Sequence, residues 1–262
     1  MPPTGTLPRR LATLVAVVAT SLLLGACSFD SLDPEPTPEP TAVTFGPDDE
    51  AVGTLIDRGR PAWEGVDAWT AETRGDSSAT EGGVSSTTTT TVILPDQRHV
   101  LTMNGETVVT EEIVRDGTIY MRGTLVSSSI YPSADPETWI RFTPDQVPAD
   151  SVLAQEVAFL TAPPAYPFAD FTDDTRALPA SPAGEVKVGD RTCEVWTFTS
   201  SKPDQPGIDY SMAFDADGRP CQLVRTSGGV VETTTWQYPA SPEPIVAPED
   251  AMPVEQFPGQ GG

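Results

Sequence analysis

From Ser85 to Leu94 the chain reads Ser-Ser-Thr-Thr-Thr-Thr-Thr-Val-Ile-Leu, and almost every residue is β-branched. Two heavy atoms on Cβ stiffen χ1 against a helix and suit the pleated surface of a sheet. A bare Ser/Thr run would also fit a low-complexity linker, but the adjoining Val92-Ile93-Leu94 favours a strand. The next residues extend the pattern. Arg98 to Met103 and Thr107 to Val114 flank Asn104-Gly105, a strong hairpin pair. Val114 and Thr118 to Arg122 flank Arg115-Asp116-Gly117, another turn. This half reads as a β-meander.

The last third returns to strands. Glu185–Val188, Thr192–Thr199, Ile208–Phe214, Arg219–Arg225 and Val230–Gln237 are separated by Gly-, Asp- and Ser-rich turns. In Ile208–Phe214 the alternate residues Ile208, Tyr210, Met212 and Phe214 are large and apolar, while Asp209, Ser211 and Ala213 face the other way. One side of this sheet must therefore be covered or filled.

Two helices are expected. The first opens at Pro47-Asp48-Asp49-Glu50, since Pro at the first position and acids in the first turn suit a helix N-terminus. Val52, Leu55, Ile56 and Gly59 follow at helical spacing, Pro61 should end or kink it, and Trp63, Val66 and Trp69 lead into the first strand. The second lies in Pro148–Leu160, with Val152, Leu153, Val157 and Leu160 as one stripe and Pro163-Pro164 as its stop. Pro163 to Pro182 reads as loop. Its Tyr166, Phe168 and Phe171 either plug the domain edge or form a lid.

The amino-terminal residues give an address. Arg9 and Arg10, the apolar run Leu11–Leu24, and Gly25-Ala26 are the parts of a secretory signal. The run is too short for the roughly 20 residues that span a bilayer. Cys27 directly after the small pair resembles the bacterial lipobox, in which the chain is cut between Ala26 and Cys27 and the Cys thiol carries diacylglycerol. Two or three acyl chains hold a protein stably at a membrane, where one is marginal. The expected location is the extracytoplasmic face of the cell membrane, held by lipid. Residues 1–26 would be the signal and 27–46 a Pro-Glu and Thr-Pro tether, reaching on the order of 50 Å if extended. Residues 47–238 would be the folded domain and 239–262 a Pro-rich irregular tail.

Charge excludes some partners. The chain has 15 basic and 38 acidic residues, a net charge of −23, and the signal would remove only Arg9 and Arg10. Such a surface repels phosphate backbones and anionic headgroups, so nucleic acid is excluded and the acyl chains must do the holding. No enzyme is expected. His99 is the single histidine, so neither a zinc site nor any other metal centre converges, and no G-x-S-x-G elbow accompanies it. Asp215-Ala216-Asp217-Gly218 opens like a calcium loop but lacks the downstream Glu, so a tight turn explains it. No phosphate-binding Gly loop occurs, and no cofactor is implied.

Outside the cytoplasm the remaining pair, Cys193 and Cys221, would form a disulfide. Both sit at the starts of strands that neighbour Ile208–Phe214. In a simple meander those strands lie about two spacings apart, near ~9.5 Å, whereas a bridge needs Cα atoms within about 7 Å. Either a bulge or a strand departure brings them together, or they are buried thiols.

Three phrases and their order carry a family resemblance: Asp116-Gly-Thr-Ile-Tyr-Met-Arg122, Thr138-Trp139-Ile140 and Phe214-Asp-Ala-Asp-Gly-Arg-Pro220. With a lipobox, a tether, a helix leading into a meander, a mid-chain helix and more meander, the chain resembles the LolA-like lipoprotein-carrier superfamily across roughly residues 47–238. That superfamily includes the LprG/LppX-type lipoproteins, and the sensor RseB has a related domain. The resemblance implies an α+β fold, a curved antiparallel half-barrel with helices packed on its concave face, able to hold acyl chains between the two. Ile208, Tyr210, Met212 and Phe214 would then point inward and line a ligand, or form an ordinary core. No residue-level ligand motif carries over, and the Cys pair is not part of the general pattern. The expected function is a carrier or binding protein for a lipid or glycolipid. A sensor or protein-interaction module on the same scaffold, without cargo, is the alternative.

Overall fold

In a computed structural model, which describes residues 43–77, 85–131, 134–149, 151–201 and 207–256, the Thr-rich run is the centre of a large open sheet. Ala26 and Cys27 lie outside the described residues, as does the signal segment.

The described chain begins with β1 (Glu50–Ala51), α1 (Val52–Glu64) and β2 (Ala68–Ser77). The meander follows as β3 (Ser85–Ile93), β4 (Gln97–Asn104), β5 (Thr107–Arg115) and β6 (Thr118–Arg122). A π-helical turn (Val126–Ile130), β7 (Ile140–Phe142) and a 3-10 turn (Pro144–Gln146) lead to α2 (Val152–Thr161) and the short α3 (Asp173–Arg176). Then come β8 (Pro179–Val188), β9 (Arg191–Ser200), β10 (Ile208–Phe214), β11 (Pro220–Ser227), β12 (Val230–Gln237) and β13 (Met252–Pro253). The sheet order is β1-β8-β9-β10-β11-β12-β2-β3-β4-β5-β6-β7-β13. Every pairing is antiparallel except β13 on β7. This is the half-barrel expected of the sequence, with helices on its concave face.

Turn chemistry sets the register. Asp116 and Gly117 both have positive φ, 51° and 75°, between the paired Arg115 and Thr118. That is a two-residue turn whose twist matches the strands it joins. The β4–β5 hairpin turns one residue later than the Asn-Gly pair suggests: Asn104 pairs with Thr107, and Gly105 takes φ 59° as the first loop residue.

Across the sheet centre the concave face is lined with threonine. Thr234 of β12 meets Thr73 of β2, hydroxyl to hydroxyl at 2.9 Å, and Thr88 meets Thr102 at 3.3 Å. The apolar residues lie to either side as two clusters. One packs α1 and the 166–171 segment on β8–β12 and β2 through Leu55, Ile56, Trp63, Phe168, Trp196 and Met212. The other packs α2 on β4–β7 through Leu153, Val157, Leu160, Ile119, Met121 and Phe142.

Three expectations shift. α1 starts at Val52, not Pro47, because the Asp49 carboxylate accepts the Gly46 N–H at 2.7 Å and closes a turn there. Such a local bond competes with helix. Glu50–Ala51 then pairs with β8, and the Val52 N–H finds Leu178 O at 2.9 Å. Pro61 does not end α1, which runs on to Glu64; it lies in the last turn, where its missing N–H costs one bond to Asp57. β8 begins at Pro179, inside the stretch read as loop. It can hold Pro179 and Pro182 because only the two-residue β1 lies outside it, and a bulge follows Pro182. Tyr166 and Phe168 plug the domain, 6% and 0% exposed, with the Tyr166 hydroxyl donating to Ile56 O at 3.1 Å.

Cys193 and Cys221 are bridged, with Cα atoms 6.4 Å apart. Ala213 pairs with Gln222 while Phe214 pairs with Pro220, so Cys221 is the extra residue of a bulge in β11. The bulge draws β9 and β11 together past the end of β10.

The stretch after Tyr238 is irregular, yet it is fastened. Ile245 is 8% exposed; its N–H donates to Gln97 and its carbonyl accepts from Arg115. β13 then closes the sheet edge on β7. No helix among the described residues is long and apolar enough to cross a membrane.

Candidate ligand site on the concave face

The apolar residues of β10 point to the concave face, as their alternation predicts. Met212 is fully buried, paired across the ladder with Trp196 and Leu223, and Phe214 lies 5.5 Å from the Phe168 ring. Tyr210 stacks on Phe198 at 4.8 Å and meets the edge of Phe171 at 5.4 Å. α1 and the 166–171 aromatics occupy the space above Met212 and Phe214, which are therefore packed core. Phe214 also borders a polar cleft of about 380 Å³ beside Arg58, Glu194 and Asp217. Tyr210 borders an open, hydroxyl-lined depression of about 480 Å³ with Ser181, Thr197 and Ser211. Neither has the lining an acyl chain needs.

An apolar opening lies under the other helix. Val92 of β3, Val114 of β5, Leu160 of α2, and Leu94, Pro163 and Pro164 of the connecting turns enclose a cleft of about 380 Å³. That is the low end of the range for small-molecule sites. Its formation follows from two stops. β3 ends where Leu94 precedes Pro95, and α2 ends just before Pro163-Pro164, so neither backbone closes the gap. Arg98 of β4 forms part of the wall. Its Nη1 donates to Phe159 O and its Nη2 to Ala162 O, each at 2.7 Å. A guanidinium here caps the last carbonyls of α2 and complements the helix dipole. Partial burial lowers the Arg98 pKa from its ordinary value, but an arginine stays charged. Leu94 and Phe159 are exposed beside it, at 40% and 61%. Sequence reasoning missed this site because its residues come from three turns, three strand segments and a helix end. Only the Pro163-Pro164 stop was visible.

Beneath α2 lies a buried carboxyl group. Glu112 is 4% exposed, and burial followed by the charge of Glu156 raises its pKa to about 8. Burial raises that of Glu156 as well.

The remaining candidates have structural partners. His99 Nε2 lies 2.9 Å from Glu111 Oε1 on the convex face, in a network with Arg122 and Glu137. Asp215 accepts the N–H groups of Asp217 and Arg219 and pairs with Arg191 and Arg219, as a tight turn requires. Among the described residues no group of three or more His, Cys, Asp or Glu could hold a metal ion.

No protein-family model matches the chain, and no curated protein does. Solved structures are similar to it in fold. The Mycobacterium tuberculosis lipoprotein LppX is 9% identical with a TM-score of 0.47, over 75% of this chain and 98% of that one. A LolA superfamily protein from Nitrosomonas europaea is 8% identical with a TM-score of 0.28, over 72% and 92%. MucB in the Pseudomonas aeruginosa MucA/MucB complex is 14% identical with a TM-score of 0.37, over 74% and 59%.

Proposed function

We propose that the chain is a lipid-anchored extracytoplasmic lipoprotein that binds or carries a hydrophobic ligand, a lipid or glycolipid, between its half-barrel sheet and helices. The observation that carries this reading is the apolar cleft of Val92, Leu94, Val114, Leu160, Pro163 and Pro164 on the concave face. The Leu24-Gly25-Ala26-Cys27 sequence supplies the anchor and the acidic surface leaves attachment to it. Binding would be driven by apolar burial, about 25 cal/mol per Å² before ordering costs. The protein acts without catalysis in this reading.

One observation favours a second reading, an envelope sensor or protein-interaction module without cargo. Two helices already pack apolar clusters against either side of the concave face.

Native mass spectrometry with organic extraction, on residues 42–262 made in a related bacterium, separates the two. A discrete lipid near one-to-one supports the carrier reading, and its loss in Val114→Trp, which fills the cleft, would locate it. An empty, folded domain favours the interaction module.

A further inference from the structure

Arg98 is a half-buried cation in the wall of the apolar cleft. With 38 acidic residues to 15 basic, carboxylates are plentiful, and Arg122, Arg176, Arg191 and Arg219 each hold at least one. Arg98 instead donates to two neutral carbonyls, Phe159 O and Ala162 O. Burial alone displaces its pKa. Among the described residues no carboxylate forms an ion pair with it, and it stands in the wall of a cleft whose lining is otherwise largely apolar. Asp96, the other charged residue of that lining, is exposed on the β3–β4 turn. A guanidinium has five N–H donors in a planar fork, and two of the five account for the carbonyls. The rest are free to meet a planar anion such as carboxylate or phosphate. At the same end, Leu94 and Phe159 expose apolar side chains to water, and the Phe159 ring lies 5.8 Å from the guanidinium carbon. An apolar slot, an apolar lip and one unpaired cation match a molecule with the complementary parts.

We propose that the cleft between α2 and β3–β5 takes a single-chain amphiphile with an anionic head. The chain lies against Val92, Val114 and Leu160, and the head meets Arg98. This inference rests on the ligand-binding reading and names its ligand class. The volume of about 380 Å³ suits one acyl chain rather than several.

Isothermal titration of residues 42–262, which hold the whole described core, with submicellar tetradecanoate and with its methyl ester tests it at neutral pH. The acid should bind about tenfold tighter or better, as a charge-assisted bond implies. Arg98→Gln should abolish that gap. Equal binding of acid and ester to the wild type overturns the anionic head while leaving the ligand-binding reading intact. That comparison needs no variant, so a misfolded Arg98→Gln does not rescue the idea. A gap that persists in a folded Arg98→Gln overturns the role of Arg98, and no binding of either probe overturns the single-chain ligand while the extraction experiment still decides the ligand-binding reading.

Discussion

Glu111 and Glu112 are neighbours on β5, and the strand alternation sends them into opposite electrostatic worlds. Glu111 reaches the convex face, where the hydrogen bond from His99 and the contacts with Arg122 lower its pKa against the effect of burial. Glu112 enters the concave face beneath α2, where burial and Glu156 raise its pKa to about 8. One peptide bond separates a carboxylate stabilised as an anion from one stabilised as an acid.

Stability should therefore fall as pH rises toward 8. Glu112 holds its proton in the folded state well above the unfolded value, so its contribution is fully present below about pH 4.5 and fades as pH climbs through about 8. Unfolding free energies from urea melts at about pH 5 and about pH 8 should differ by at least about 1 kcal/mol. Glu112→Gln should flatten that difference. Glu111 works in the other sense: its contribution is present above the usual carboxylate range and is lost as pH falls below it. If Glu112→Gln keeps the alkaline loss, the group responsible lies elsewhere.

α1 docks through a glycine. A Cβ on Gly59 would stand 2.7 Å from Gly218 O and 2.7 Å from the Tyr166 hydroxyl. In an exposed helix, Gly→Ala gains about 1 kcal/mol. Here Gly59→Ala should cost about 1–3 kcal/mol through overpacking. Thermal unfolding decides the sign, and a stabilised variant would mean that α1 sits farther from the β10–β11 turn.

The Cys193–Cys221 bridge closes a sequence separation of 28 residues. Removing that constraint from the unfolded chain should cost about 3 kcal/mol. The double Cys→Ala variant, compared by urea unfolding with the oxidised wild type, should show the loss. Dithiothreitol should move the wild type and leave the variant unchanged.

Met212→Trp should destabilise the domain whatever it does to a ligand. Met212 is fully enclosed between Trp196 and Leu223, and the added ring has no room. Overpacking of about 1–3 kcal/mol is expected. A variant as stable as the wild type would show that the α1 cluster holds unfilled space.

What was legible from sequence is local. β6, β10 and β12 have the bounds their alternation and flanking turns predict, and β3 differs by one residue at its end. Those signals sit inside a window of about ten residues, where turn residues and β-branching act directly. What was hidden depends on distant partners. β1 exists only because β8 lies beside it, and β13 only because β7 does. The helical pattern around Val52 was visible, but the Asp49 turn that delays α1 was not. The alternation of β10 named an inward face correctly in direction, yet could not say which helix would fill it. α1 did, and the open apolar space fell under α2 instead.

The seam between β12 and β2 joins Thr73 to Thr234, 161 residues apart. A chain synthesised amino-terminus first presents β2 long before its partner arrives. Until Val230–Gln237 emerges, β2 is a bare edge facing other chains, followed by one of the most β-prone segments in the sequence. The two halves of the sheet can each grow by local hairpins, but they cannot become one sheet before synthesis is nearly over. A product cut short of Val230 would keep that edge for life, and the hazard it brings is intermolecular pairing rather than simple loss of stability.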